Sequence, residues 1–227
     1  NIILAFVMFG VALSIKPRTI MEVVKNPKSI ALGIFLQWFA LPAVTFLIAL
    51  LLSPVITPMI ALGMILIASC PGGNISNFLS SLSKGNVALS ISLTAITTTF
   101  SPIVTPLNFF FWGSMYSHFI SIKQDIPQLV IPFMPMLEQI LLLLGLPIFI
   151  GLLFARFFPN ATRKITKPSQ VISIMLFLGM VVVSFTQNFQ IFVDNIFYVF
   201  FLVMLHNASA LGIGYLFSRL AGARVDD

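Results

Sequence analysis

The residues best able to do chemistry lie in one run, Cys70-Pro71-Gly72-Gly73-Asn74-Ile75-Ser76-Asn77, with apolar sequence on both sides. Proline lacks a backbone donor and two adjacent glycines weaken a helix, so a helix entering this run is expected to stop and a second to start. The amides of 74–77 would open that second half-helix, and its positive end suits an anion. The freed carbonyls, with the side chains of Ser76 and Asn77, offer neutral oxygens to a hard cation such as sodium. A plain proline kink at Pro71, Gly72 and Gly73, packed against neighbours, is the competing reading. Further along, Ser90, Thr94 and Thr97 recur at spacings of four and three, which puts them on one helix face. Such hydroxyls also bond their own i−4 carbonyls, so simple packing competes there too.

Weaker candidates are single polar residues in apolar surroundings. Gln37 sits midway through an uncharged stretch, where an interhelical hydrogen bond is the plain role. His206-Asn207 could serve a ligand or a proton relay, or only helix packing. Glu138 is an acid within an apolar segment, placed near enough to its end to pair at the interface instead. Cys70, the one cysteine, leaves no disulfide and no cluster of metal ligands, and reads as a small packing residue.

The elements that must hold these residues are membrane spans. Hydrophobic residues make up 59% of the 227 and charged ones 8%, with a mean hydropathy of +1.07. A soluble domain runs near a quarter charged, so this chain could not cover a water-facing surface. Stretches 29–83 and 85–122 carry no charge at all. Judged against about 20 residues per crossing, seven segments emerge: 1–15, 29–52, 56–82, 87–112, 129–157, 171–185 and 196–220. Ser53-Pro54 and Thr57-Pro58 supply a turn, and Pro102 with Pro106 predicts a bend. The alternating ten-residue pattern of barrel strands is absent, so the fold class is an all-α polytopic helical bundle containing one broken helix.

Net charge is +6, from 12 Lys+Arg against 6 Asp+Glu, but no basic run or aromatic-rich polar face suggests nucleic acid. On alternating loops, eleven basic residues (Lys16, Arg18, Lys25, Lys28, Lys84, Arg156, Arg163, Lys164, Lys167, Arg219 and Arg224) fall on one side and Lys123 alone on the other. That bias makes 16–28, 83–86, 156–168 and 219–227 cytoplasmic. The chain opens on Asn, and its first apolar stretch is short for a span and lacks signal-peptide features, so an internal fragment is expected. Catalysis finds no support: Ser/His/Asp groupings, His-Glu-x-x-His, a phosphate loop and paired intramembrane aspartates are all missing. The 24 phenylalanines and 10 methionines are packing and lipid-facing mass, without a cofactor box.

The run ILIASCPGGNISNFLSSLSKGNVALSISLT at 65–94 resembles the bile acid:sodium symporter family, with FVMFGVALSIKP at 6–17 and MLHNASALGIGY at 204–215 similar to the same family. The resemblance implies ten helices in two inverted five-helix repeats, of which this chain looks like helices two to eight. It implies panel-like helices at 1–28 and 129–190 and core-like helices at 29–112 and 194–220. Ser76, Asn77, Ser90 and Thr94 stand at positions resembling a first sodium site, and Gln37 matches a side chain of a second. An anionic substrate is expected near Gly73, Asn74 and Ile75, with His206 and Asn207 as further candidates. The ninth-helix Glu-x-x-x-Gln-Asn motif of that family is not in this sequence, so both sodium sites are expected to be incomplete within it. The function implied is sodium-coupled symport of an organic anion by alternating access in a lipid bilayer, with sodium as coupling ion and no organic cofactor, in a bacterial inner membrane. A sodium-independent anion exporter and a truncated non-transporting membrane protein are the alternatives.

Overall fold

The computed structural model describes residues 2–14, 27–124 and 130–222. Among these the chain forms eight helices: α1 (Ile2–Ser14), α2 (Pro27–Leu51), α3 (Pro58–Ser69), α4 (Asn74–Leu82), α5 (Val87–Gln124), α6 (Phe133–Phe157), α7 (Pro159–Gln187) and α8 (Phe189–Leu220). No strand occurs among the described residues. Five helices, α2, α5, α6, α7 and α8, are long and apolar enough to cross a membrane. The all-helical membrane architecture expected from composition is therefore present.

Segment boundaries differ from expectation in three places, the last being α8, which starts at Phe189 and not at 196. Helix α5 runs on past Trp112 to Gln124, because Tyr116, Ser117 and Ile120 remain buried against its own unit. It also continues through Pro102 and Pro106 without a break in the helix. Pro102 denies Thr98 its helical N–H donor, and the Ser101 hydroxyl donates to the Thr98 carbonyl at 2.9 Å in its place. The expected loop at 156–168 is instead a corner at Phe158, and Arg163, Lys164 and Lys167 ride on the first turns of α7. Pro159 explains the early start, since proline is well suited to the first helical turn. Lys16, Arg18, Lys25 and Arg224 lie outside the described residues, as does the side chain of Lys123.

Helices α2 and α6 each carry one π-turn, at Leu36–Ala40 and Leu141–Gly145. Each is followed directly by Leu-Pro, at Leu41-Pro42 and Leu146-Pro147. A proline ring clashes with the carbonyl four residues back, and a widened turn gives the helix room for it.

The chain divides into two compact units, one of 1–16 and 138–204, the other of 17–137 and 205–227. Within the first, α1 packs on α6 and α7 through small residues. A Cβ at Gly151 would lie 2.7 Å from Ala12 Cβ, and one at Gly10 would lie 2.6 Å from Ser173 Oγ. Phe9 and Phe154 meet edge to face at 6.2 Å. Lipid gives no hydrophobic drive between helices, so such close packing supplies the contact. Within the second unit, α3 has a buried face of Ala61, Met64, Ile65 and Ala68, and Trp112 of α5 meets Phe39 of α2 edge to face and Phe46 of α2 at a tilt. The candidate site belongs wholly to this second unit.

Candidate functional site

The helix break falls where Pro-Gly-Gly predicts it. Helix α3 ends at Ser69, Cys70 turns to an extended backbone (φ −78°, ψ 153°), and α4 opens at Asn74 after an extended Gly73 (φ −90°, ψ 166°). These are angles any residue can adopt, so Gly73 is not there for backbone freedom. A Cβ on Gly72 or Gly73 would meet nothing within 4 Å among the described residues, so both lie beside open space.

Breaking a helix at membrane depth strands carbonyls, and each must find a donor. Here the flanking helices provide them. Thr105 of α5 donates its hydroxyl to Ser69 O at 3.0 Å, and Gln37 of α2 donates Nε2 to Cys70 O at 2.9 Å. Gly73 O accepts from the Ser76 amide at 3.1 Å and from the Ser76 hydroxyl at 2.6 Å. Gln37 itself stands in the π-turn of α2. Next to it Trp38 O, which would meet Pro42 in a regular helix and find no N–H, accepts from Asn108 Nδ2 of α5 at 2.8 Å. The break is thus braced by side chains from both neighbouring helices.

One turn into α4 lies a cluster of oxygens. Asn77 Oδ1 accepts from Ser90 Oγ at 2.7 Å and from Thr94 Oγ1 at 3.2 Å, both on α5. The spacing of four places those hydroxyls on successive turns facing one carboxamide, and all three residues are half-buried. The cluster gathers three neutral side-chain oxygens within hydrogen-bonding distance around Asn77 Oδ1.

The other expected site residues are placed differently. Ser76 uses its hydroxyl on Gly73 O and not in the Asn77 cluster. Thr97 turns back to Leu93 O at 2.8 Å and Thr94 O at 3.3 Å, so packing accounts for it. Asn74 and Ile75 start α4, but their side chains lie outside the described residues. His206 Nδ1 lies 3.3 Å from Thr45 Oγ1 on α2, and the Thr45 hydroxyl donates to Leu41 O at 2.8 Å. The Thr45 hydroxyl thus ties α2 to α8 through His206 while also bonding its own helix. Asn207 is exposed, and no hydrogen bond among the described residues joins either residue to the break. Glu138 lies exposed on α6.

Two residues of the brace, Thr105 and Asn108, escaped sequence reasoning, as did Thr45 beside His206. Each is a polar side chain in an apolar span, a signal present in the sequence but shared with many hydroxyls that only bond their own helix.

The family model described as "Sodium Bile acid symporter family" matches residues 1–195. Among curated relatives, the "Uncharacterized sodium-dependent transporter YocS" of Bacillus subtilis (strain 168) is 32% identical over 223 residues, covering 97% of this chain and 63% of that protein. The "Probable sodium/metabolite cotransporter BASS1, chloroplastic" of Arabidopsis thaliana is 26% identical over 222 residues, covering 98% of this chain and 52% of its own length. The human "Ileal sodium/bile acid cotransporter" is 25% identical over 224 residues, 98% and 61% respectively. The chain thus spans between about half and just under two-thirds of these relatives. Family and relatives alike are transporters and not enzymes. The profile match over most of the chain, together with apolar helices long enough to span a bilayer, shows that the chain belongs to the sodium bile acid symporter family.

Proposed function

We propose that the protein couples sodium entry to symport of an organic anion by alternating access, with the α3–α4 break as the substrate and ion locus. The observation that carries this reading is the convergence of Ser90 and Thr94 hydroxyls on Asn77 Oδ1, one turn inside a half-helix whose N-terminus faces open space at Gly72 and Gly73. In this account Asn77, Ser90 and Thr94 hold one sodium ion, with Ser76 joining them by releasing Gly73 O. Gln37, already on Cys70 O, helps a second. The substrate's anionic group lies against the amides of Gly73, Asn74 and Ile75, where the helix dipole favours negative charge. His206 and Asn207 line a more distant part of the substrate path.

Coupling follows from order. Sodium drawn between Asn77 of α4 and the hydroxyls of α5 fixes the half-helix, and the anion binds that fixed amide array more tightly than a loose one. Linkage requires the anion to tighten sodium binding by the same factor. We place helices 1–28 and 129–190 in a panel and 29–112 with 194–220 in a core, in a bacterial inner membrane, with 16–28, 83–86, 156–168 and 219–227 facing the cytoplasm. The test is uptake by the full-length protein in proteoliposomes, using labelled taurocholate and a panel of small carboxylates. Accumulation under an inward sodium gradient, absent under a choline gradient, is expected; equal uptake under both gradients refutes the coupling.

A further inference from the structure

Of the candidate ion residues, Gln37 alone stands in a widened helical turn. The turn at Leu36–Ala40 is closed by the Leu41 N–H on Leu36 O, five residues back, where a regular helix closes on four. A residue inserted in this way rotates the helix before it by about 100° against the helix after it. Pro42 can be absorbed by a kink or by a widened turn, and the two leave Gln37 facing in different directions. Helix α6 makes the same turn from Leu141-Leu142-Leu143-Leu144-Gly145 ahead of Pro147, with no polar residue in it. The polar contacts made at the α2 turn therefore serve something besides the turn itself, and π-turns occur frequently at functional sites.

Helix α5 grips this turn. Thr105, Asn108 and Trp112 follow at spacings of three and four and share one face of α5. Asn108 Nδ2 donates to Trp38 O, inside the turn, at 2.8 Å, and Trp112 meets Phe39 at 5.7 Å. The Trp38 ring lies edge to face on Phe100 at 6.2 Å. One turn earlier α2 again approaches α5 closely, since a Cβ at Gly33 would lie 2.6 Å from Leu93 Cδ1. Gln37 thus stands between two points at which α2 is fixed to α5. Thr105 completes the frame by donating to Ser69 O at 3.0 Å, one residue before the Cys70 O that Gln37 Nε2 holds at 2.9 Å. The carboxamide is planar, so fixing Nε2 on Cys70 O also fixes Oε1, the atom a cation would use.

We propose that Asn108 is a positioning residue for the second sodium ion: by holding Trp38 O it fixes the α2 turn in the form that aims Gln37 at the break. It touches neither ion nor anion and acts through Gln37. The inference rests on the reading above that Gln37 helps bind a second sodium, and adds the residue that makes Gln37 ready for it. Without the Asn108 amide Trp38 O loses this donor, and Pro42 has no N–H to replace it, so the turn must shift. What that shift takes from the ion is bounded by the worth of one interhelical bond, about three- to fifteenfold in sodium affinity.

Sodium alone is the probe, read as the rise in Tm of the detergent-solubilised full-length protein over a sodium series, with choline keeping ionic strength constant. Wild type is compared with Asn108→Leu, Asn108→Ala, Gln37→Leu and the double variant Gln37→Leu/Asn108→Leu. Gly151→Val, altered in the packing of the other unit, controls for stability alone. Asn108→Ala serves if the bulkier leucine prevents folding. The expected result is half-saturating sodium raised about three- to fifteenfold in both Asn108 variants and raised in Gln37→Leu, with the double variant no weaker than Gln37→Leu alone. Gly151→Val lowers Tm and leaves half-saturation in place. Asn108 variants that behave like Gly151→Val overturn the proposal, because the residue is then only a structural tie. Effects that add in the double variant also overturn it, because Asn108 then reaches the ion by a route other than Gln37. Half-saturation unmoved in Gln37→Leu, with wild type responding to sodium, overturns the second-ion role of Gln37 and this inference with it. A wild type with neither a sodium response nor sodium-dependent uptake overturns the symport reading as a whole.

Discussion

Replacing Asn77 with alanine separates an ion site from a packing contact. The substitution removes one acceptor and two interhelical hydrogen bonds, of 2.7 and 3.2 Å. Membrane interhelical bonds average about 0.6 kcal/mol each, so the loss for folding is about 1.2 kcal/mol for two such bonds. It is expected to be smaller, because Ser90 and Thr94 can each turn to a carbonyl four residues back, as Ser92 and Thr99 already do. The loss to a bound cation is larger. A hydrogen bond to a charged group is worth about 1.5–3 kcal/mol, and a cation deprived of one protein oxygen loses a comparable amount. At 1.4 kcal/mol per tenfold, sodium affinity in the full-length protein should fall by about 10- to 100-fold. The assay is thermal unfolding in detergent over a sodium series, where the sodium-dependent rise in Tm reports affinity by mass action. A small drop in Tm without sodium, with half-saturation moved to much higher sodium, is expected. The reverse pattern, a large loss of stability with unchanged half-saturation, would show that Asn77 is only a structural tie.

The other substitutions probe the brace and the packing. Gln37→Leu leaves Cys70 O without its donor and should lower stability by about 0.6–2 kcal/mol, measured by thermal unfolding, with the transition recovering in Gln37→Asn only if the shorter amide still reaches. Gly73→Leu should fold nearly as well as wild type, since its Cβ meets nothing within 4 Å and its φ of −90° suits any residue, yet abolish substrate uptake by filling that space. Gly151→Val drives a methyl-bearing carbon toward Ala12 Cβ and Phe9 O, at 2.7 and 3.2 Å, and should cost about 1–3 kcal/mol while leaving sodium half-saturation unchanged.

Much of this arrangement was legible before any coordinates, and the reasons are physical. Pro71-Gly72-Gly73 announces a break because proline and glycine act on the backbone locally, and α3 and α4 end and start around it. Ser90 and Thr94 share a face because helical spacing alone decides that. Their shared partner Asn77 could be assigned only through a family resemblance, since nothing in periodicity says which helix faces which. The same limit hid the partners of Gln37, Thr105 and Asn108, whose targets are carbonyls 33, 36 and 70 residues away. Thr97 shares the face of Ser90 and Thr94, yet its hydroxyl is spent on its own helix, the packing role weighed for it from the spacing. Gly73 was valued for flexibility, whereas its backbone is one any residue adopts and a Cβ there would meet nothing within 4 Å among the described residues. The two π-turns depend on how a helix absorbs Pro42 and Pro147, a choice between kink and widened turn that sequence leaves open.

Central to the account is that sodium binds at the Asn77, Ser90 and Thr94 oxygens and thereby prepares the break for an anion. The most direct measurement is the Kd of the full-length protein for labelled taurocholate, or for whichever anion of the panel is taken up, with sodium replaced step by step by choline at constant ionic strength. The account predicts that anion affinity rises with sodium in wild type and that this dependence shifts to higher sodium in Thr94→Val. Anion affinity indifferent to sodium, or a sodium dependence unmoved by Thr94→Val, would contradict it.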